Sequence, residues 1–391
     1  MKASVFRRIA GVLFISLALS TAYIAGWLTR PVLPPFAASH ASPAGMMDEA
    51  WRLVDEHFFG TLPPTRTRTY AAIRGLLGSL NDPYSVLIEP PATRLENDQL
   101  RGQFGGIGAD LWLDAQQRVH LSPYPDGPAA KAGVLAGDLL LAIEGTQVAP
   151  GQPLDELEAR LRGDIGTRVT LTLERGGQTV EIGIVRAQIA PPSVMWHMID
   201  GAPGIGYISI RMFTDRTLSE LKRGIDEVRS AGASALILDL RDNGGGLLQS
   251  AVDVAGQFVG GVVMIEQQRD GGEREFLAPA EGAARDLPVI VLVNRSTASA
   301  SEIVAGALKD RNRAVLMGER TYGKGSVQSL YPLPDGSSLH ITTAIWLTPG
   351  RRSLAGQSLQ PDIEVARTTE DRTAGRDPVL DRAVAYLLNG S

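Results

Sequence analysis

Two short stretches hold side chains whose types and spacing could do chemistry. The first, GERTYGKGSVQ (318–328), comes within one residue of a phosphate-binding loop: Gly318, Gly323 and Lys324 fit, but Gly325 pushes Ser326 one place too far. A phosphate loop must also open a helix whose N-terminus holds the anion. Here SVQSLYPLPDGSSLHITTAIWL contains two prolines and alternates like strands, so Lys324 needs another use. The second stretch, VNRSTASASEIVAGALKD (293–310), runs from an apolar strand into a helix. It sets the hydroxyls of Thr297, Ser299 and Ser301 at a strand's carboxyl end, where active sites of α/β sheets collect. Taken alone, Ser299 reads first as a helix cap, with Glu302 completing a Ser-x-x-Glu box, and Lys324 as a solvated surface lysine.

Composition narrows the classes. The 391 residues exceed one ordinary domain, and 44% apolar content can fill two or three cores. Lys plus Arg (38) nearly balances Asp plus Glu (43), a net charge of −5 that gives no basic field for a nucleic acid backbone. There are no cysteines, which excludes disulfides and thiol catalysis. The five histidines show no HExxH or HxH spacing, so neither a metal nor another cofactor is expected.

The elements that must position these residues follow an N-terminal segment in which Lys2, Arg7 and Arg8 precede an uncharged run from Ile9 to Trp27. This is an export signal, and its 19 residues favour an uncleaved inner-membrane anchor over a cleaved signal peptide. The expected localisation is periplasmic or otherwise extracytoplasmic. The organisation expected is a signal segment (1–30), a Pro-rich linker (31–45), a helical segment (46–101), a small β-rich module (102–187), an α/β core (188–366) and a C-terminal helix (367–391). In the helical segment, Met47, Trp51, Val54 and Phe58 recur at helical spacing. Within the core, IGYISI, ALILDL, VIVLVN and AVLMG are continuous apolar strands between amphipathic helices, the pattern of a largely parallel sheet covered on both faces.

The stretch GPAAKAGVLAGDLLLAIEGTQV (127–148) resembles the PDZ family. Upstream, Gly105-Gly106-Ile107-Gly108 is similar to that family's glycine loop, which implies Gly106, Ile107 and Gly108 as the captors of a peptide's C-terminal carboxylate. A plain tight turn is the other use of such glycines. The paired stretches around Ser299 and Lys324, with AAIRGLLGSLNDPYS, LILDLRDNGGG and LQPDIEV, resemble the carboxyl-terminal processing peptidases of serine peptidase family S41 over about residues 46–366.

That resemblance implies a crotonase- or ClpP-like α/β core, mostly parallel, with an inserted PDZ domain. It implies Ser299 as nucleophile, Lys324 as general base, Gln328 as the residue that helps hold the lysine, and Gly245 and Ala300 as oxyanion N–H donors. Asp310 falls where some members carry an assisting acid, but reads as structural first. The chemistry is coherent, because an uncharged amine can activate a serine. Free lysine titrates near about 10.4, so the base must be desolvated in a site poor in carboxylates. The expected substrates are exported proteins with apolar C-terminal tails, cleaved near that end through an acyl-enzyme. A homo-oligomer or an activating adaptor stays open, as does the role of the last helix, DPVLDRAVAYLL. The rival class is a membrane-tethered PDZ adaptor or chaperone on an inactive scaffold. A third reading, an acyl-CoA enzyme of crotonase-like architecture, would need a CoA site that nothing in the sequence suggests.

Overall fold

The computed structural model describes residues 42–389. The apolar run from Ile9 to Trp27 lies outside them, and among the described residues no helix is long and apolar enough to cross a membrane. Two compact units divide between Ala71 and Ala72. In the first, helix α1 (Pro43–His57) is capped by Ser42, whose Oγ accepts from Gly45 N–H at 3.0 Å. Arg68, on the following helix α2 (Thr65–Gly78), pairs with Asp55 at 2.6 Å and lies over the Trp51 ring. The helical spacing of Met47, Trp51 and Val54 does yield a helix, with Phe58 in extended backbone just past its end, yet α1 buries none of its residues.

The second unit begins with β1 (Val86–Ile88) and helix α3 (Pro90–Arg101). Next come β2 (Phe104–Gly106), β3 (Ala109–Leu113), β4 (Val119–Pro123), α4 (Pro128–Lys131), β5 (Leu139–Ile143) and β6 (Thr146–Gln147). Helix α5 (Leu154–Leu161), β7 (Arg168–Arg175), β8 (Gln178–Val185) and β9 (Ala187–Ile189) complete this stretch. Its sheet runs β3-β4-β5-β7-β8, with β6 on β5 and the separate pair β2-β9. Strict alternation in RVTLTLER sends Val169, Leu171 and Leu173 inward onto Leu157 and Leu161 of α5. Strand β3 ends the sheet order, so its outer edge is not covered by another of the sheet's strands.

The α/β core follows with β10 (Val194–Met198), β11 (Ile205–Ile210), α6 (Thr217–Ser230), β12 (Ala235–Asp239) and α7 (Leu248–Ala255). Then come β13 (Val262–Gln268), β14 (Glu273–Leu277), β15 (Val289–Val293), α8 (Ala300–Asp310) and β16 (Ala314–Gly318). The chain closes with β17 (Ser326–Pro332), β18 (Ser338–Leu347), β19 (Ile363–Glu364), α9 (Thr369–Thr373) and α10 (Pro378–Asn389). One sheet has the order β10-β11-β12-β15-β16-β19, parallel except for the edge pair β10-β11. Every residue of β12 and β15 is buried, as a strand covered on both faces requires. Leu221, Ile225, Ala251, Val252, Ile303 and Val304 from α6, α7 and α8 pack in the larger core. Val379 and Ala383 of α10 join a second cluster with Ile205, Ile237, Ile290 and Met317. Alternation along the strands separates Ile237 and Ile290 from Leu236, Leu238 and Val291, so helices cover both faces. The other sheet is antiparallel, β1-β18-β13-β14, with β17 on β18.

Candidate active site

Ser299 sits in the turn between β15 and α8. Its backbone has φ 54° and ψ −117°, a left-handed setting that costs a non-glycine residue of order 1–3 kcal/mol and holds only where neighbours enforce it. They do so here. Thr297 Oγ1 donates to Leu240 C=O, just past the neighbouring strand β12, at 2.9 Å and accepts from Asn294 N–H. Glu302, fully buried on the first turn of α8, reaches back to accept from Ser299 N–H at 2.9 Å. The capping geometry anticipated for Ser299 is therefore present, and it fixes the residue at a helix N-terminus.

The turn after β12 approaches from the side. Gly245 has φ 113°, and a Cβ there would stand 2.9 Å from Ser299 Cβ and 3.1 Å from Ala300 N. Only glycine fits. Ala300 N–H heads α8 and, among the described residues, donates to no backbone carbonyl. Gly245 N–H, by contrast, donates to Asn243 Oδ1 at 2.9 Å. Asn243 is fully buried and acts as a staple: its Nδ2 donates to Ile210 C=O, and its own C=O accepts from Ala298 N–H and Ser301 Oγ.

The lysine segment is laced to the nucleophile turn. Tyr322 N–H donates to Thr297 C=O at 2.9 Å. The Glu302 carboxylate accepts from Gly323 N–H at 2.7 Å, from Lys324 N–H at 2.9 Å and from the Thr321 hydroxyl. Gly325 packs so tightly on Leu354 and Ala355 that no Cβ could be placed, while Trp346 Nε1 donates to Lys324 C=O at 3.0 Å. The Lys324 ammonium lies 5.2 Å from the centre of the Tyr84 ring. Burial holds it below the usual lysine range, and the Glu96 carboxylate opposes part of that shift. Among the described residues no hydrogen bond reaches Lys324 Nζ, so Ser299 Oγ and Lys324 Nζ are not joined by one. Catalytic contacts commonly tighten only with substrate in place.

The expectation of a site poor in carboxylates holds along the chain but not in space, since Glu302 and Glu96 both come near the lysine from elsewhere. Gln328 is on β17, but its carboxamide donates to Ser326 Oγ at 2.7 Å and Thr342 Oγ1 at 3.2 Å rather than contacting the lysine. Asp310 ends α8, about 16 Å along the helix from Ser299 at about 1.5 Å rise per residue. There it pairs with Arg352 and accepts from Gly350 N–H.

The candidate peptide loop lies at the mouth of the small module. Gly105 C=O accepts from Gly163 N–H just beyond α5, and Ile107 C=O accepts from Ala129 N–H at 2.7 Å. Gly108 has φ 69°, and among the described residues the N–H groups of Ile107 and Gly108 donate to no loop or turn carbonyl. Gly106 pairs with Ala187 at the end of β2. The Arg162 guanidinium lies 4.1 Å from the Phe104 ring centre beside the loop. Sequence reading reached neither Asn243 nor Glu96, and took Glu302 only as a cap. Glu302's spacing from Ser299 was the signal available, but the four donors it holds come from two distant segments.

Comparison with known proteins agrees with this architecture. Residues 204–365 match the model of peptidase family S41 and residues 121–175 that of the PDZ domain. The carboxy-terminal-processing protease of Bartonella bacilliformis is 38% identical over 328 residues, 82% of this chain and 74% of that one. A probable CtpA-like serine protease of Staphylococcus haemolyticus is 39% identical over 76% of this chain, which spans 60% of that relative's length. The solved photosystem II D1 C-terminal processing protease is 31% identical, covering 81% of this chain and 86% of its own, with a TM-score of 0.50. The chain thus belongs to serine peptidase family S41, among the PDZ-containing carboxyl-terminal-processing proteases.

Proposed function

We propose that the protein is an exported endopeptidase, tethered to the inner membrane by residues 9–27, that captures the apolar C-terminal tail of a protein substrate on Gly106, Ile107 and Gly108 and cuts near that end. The tail would extend the sheet along the β3 edge. Lys324, neutral, takes the Ser299 proton as Oγ attacks the scissile carbonyl. Ala300 N–H receives the oxyanion, joined by Gly245 N–H when that donor turns from Asn243 to the stronger acceptor. The ammonium of Lys324 then protonates the leaving amine, and water releases the acyl group. The observation that carries this reading is the strained Ser299 heading a buried helix, with Gly245 against its Cβ and a desolvated lysine laced to the same turn through Glu302.

The adaptor reading draws on one feature, the engagement of Gly245 N–H by Asn243. The two separate in a single experiment. Ser299→Ala and Lys324→Ala are each expected to lower cleavage of an apolar-tailed protein by at least ~10³-fold, with folding intact and tail binding retained. A fluorophosphonate probe is expected to label the parent and not Ser299→Ala. Unaltered cleavage in both variants would reject the dyad, and tail binding with neither cleavage nor labelling in the parent would favour the adaptor.

A further inference from the structure

The turn Asn81-Asp82-Pro83-Tyr84-Ser85 takes no part in the acyl transfer, yet its tyrosine meets the candidate base. Asp82 closes the turn: its Oδ1 accepts from Tyr84 N–H at 3.1 Å and its Oδ2 from the Ser85 hydroxyl at 2.6 Å. Ser85 Oγ in turn accepts from Thr342 N–H of β18 at 3.1 Å. Strand β1 follows at once and sets Val86 opposite His340 of β18, while β17 sets Gln328 opposite Thr342 of the same strand. Strand β18 therefore lies between the strand that follows Tyr84 and the strand that follows Lys324, and it fixes both. The Lys324 ammonium lies 5.2 Å from the centre of the Tyr84 ring, within reach of the ring's negative face.

The other titratable groups around the lysine are engaged elsewhere. The Glu302 carboxylate of α8 accepts from the Lys324 backbone N–H and from three further donors. Glu96 Oε2 of α3 stands 3.1 Å from His340 Nε2 on β18, and its charge favours the ammonium through space. The Asp82 oxygens are taken by their own turn, and Tyr322 of the lysine segment is exposed. Burial and hydrogen bonding to Tyr322 raise the Tyr84 phenol, so its ring meets the amine uncharged. We propose that Tyr84 is a positioning residue for the base: its ring face, over the Lys324 nitrogen, receives the positive charge that forms there when the amine takes the serine proton. This rests on the Ser299 and Lys324 reading above.

The need arises from the chemistry of the base. As Ser299 Oγ attacks, its proton passes to the Lys324 lone pair, the Oγ electron pair bonds the carbonyl carbon, and a carbonyl pair moves onto oxygen. The burial that lets the amine rest neutral also penalises the ammonium it becomes. A carboxylate pressed against the nitrogen would hold it protonated at rest. A ring face attracts the cation through its quadrupole, a weaker pull that leaves the resting amine free to take a proton.

The test is the pH dependence of kcat/KM for the full-length protein on a reporter protein with a short apolar C-terminal tail. Position 84 carries Tyr, Phe or pentafluorophenylalanine, the last close to Phe in shape but without a negative ring face. Losing the ring's attraction lowers the lysine pKa, so in the fluorinated variant the acidic limb is expected to move down by about half a pH unit and the plateau to fall about fivefold. Tyr84→Phe is expected to keep the parent limb. A fluorinated variant whose limb stays put or moves up overturns the proposal, because a packing role would alter rate without lowering the limb. An equal downward shift in Tyr84→Phe overturns it too, by assigning the effect to the hydroxyl. Lys324→Ala, run alongside, separates the failures: if it still cleaves, the dyad reading is wrong; if it is inactive while the fluorinated limb is unmoved, only the role of Tyr84 is lost.

Discussion

At the scale of single residues, the candidate site is organised by one buried carboxylate. Glu302 accepts from Ser299 N–H, Gly323 N–H, Lys324 N–H and the Thr321 hydroxyl, so it sets the distance between two chain segments that carry the chemistry. A carboxylate suits this task because it is acceptor-only, with room for four donors. Glu302→Gln would turn an amide donor toward groups that are themselves donors. It is expected to lower kcat by about 10²-fold, roughly 2.7 kcal/mol, with KM for a tailed substrate little changed. Steady-state kinetics check this, and parent kcat in a folded variant would show that the carboxylate does not set the geometry.

At the scale of elements, glycine decides where backbone can serve as a binding surface. Gly108 combines φ 69° with close walls, since a Cβ would lie 3.0 Å from both Ile189 Cδ1 and Pro128 Cδ. Gly108→Ala is expected to weaken binding of an apolar tail peptide by about tenfold, some 1.4 kcal/mol, through strain in the loop that presents the N–H groups. Fluorescence anisotropy with free and amidated peptides measures it. Parent affinity in the variant would mean that the loop holds no carboxylate. Helix α8 shows the same dependence on small residues, because Ala305, Gly306 and Ala307 are buried on all sides and Gly306 passes close to Thr348.

At the scale of the whole molecule, the C-terminal helix α10 belongs to the core. Its Val379 and Ala383 pack in the cluster that holds Ile237 and Ile290, and Asp377 just before it accepts two hydrogen bonds from Arg241, which also grips Asp239 at the end of β12. Burial alone would raise the Asp377 pKa, but the Arg241 hydrogen bonds hold it below the usual carboxylate range. A carboxylate depressed in the folded state adds stability above its unfolded value of about 3.9 and loses it as pH falls through the folded value. Asp377→Asn is therefore expected to cost about 2 kcal/mol at neutral pH. The deficit should shrink as the solution is acidified below about pH 4, as thermal melts on both sides of that value would record. A deficit independent of pH would assign the loss to packing.

The chain alone determined the parallel core, because ALILD and VIVLV are apolar at every position and only a strand covered on both faces accommodates that. It also determined that Ser299 heads a helix, through the spacing to Glu302, and that GERTYGKGSVQ holds no phosphate loop. Several matters were settled only in three dimensions. The helical period of α1 predicts a helix but carries no information about what covers its apolar face. Strand β14 mixes charged and apolar residues, and nothing local marks it before it pairs with β13 in the antiparallel sheet. That the Glu302 carboxylate accepts from Lys324 N–H depended on α8 and the lysine segment folding together across more than twenty residues of chain. Local spacing fixes the hydrogen bonds a segment makes with itself, whereas desolvation and charge at a site are sums over whatever the tertiary fold brings near.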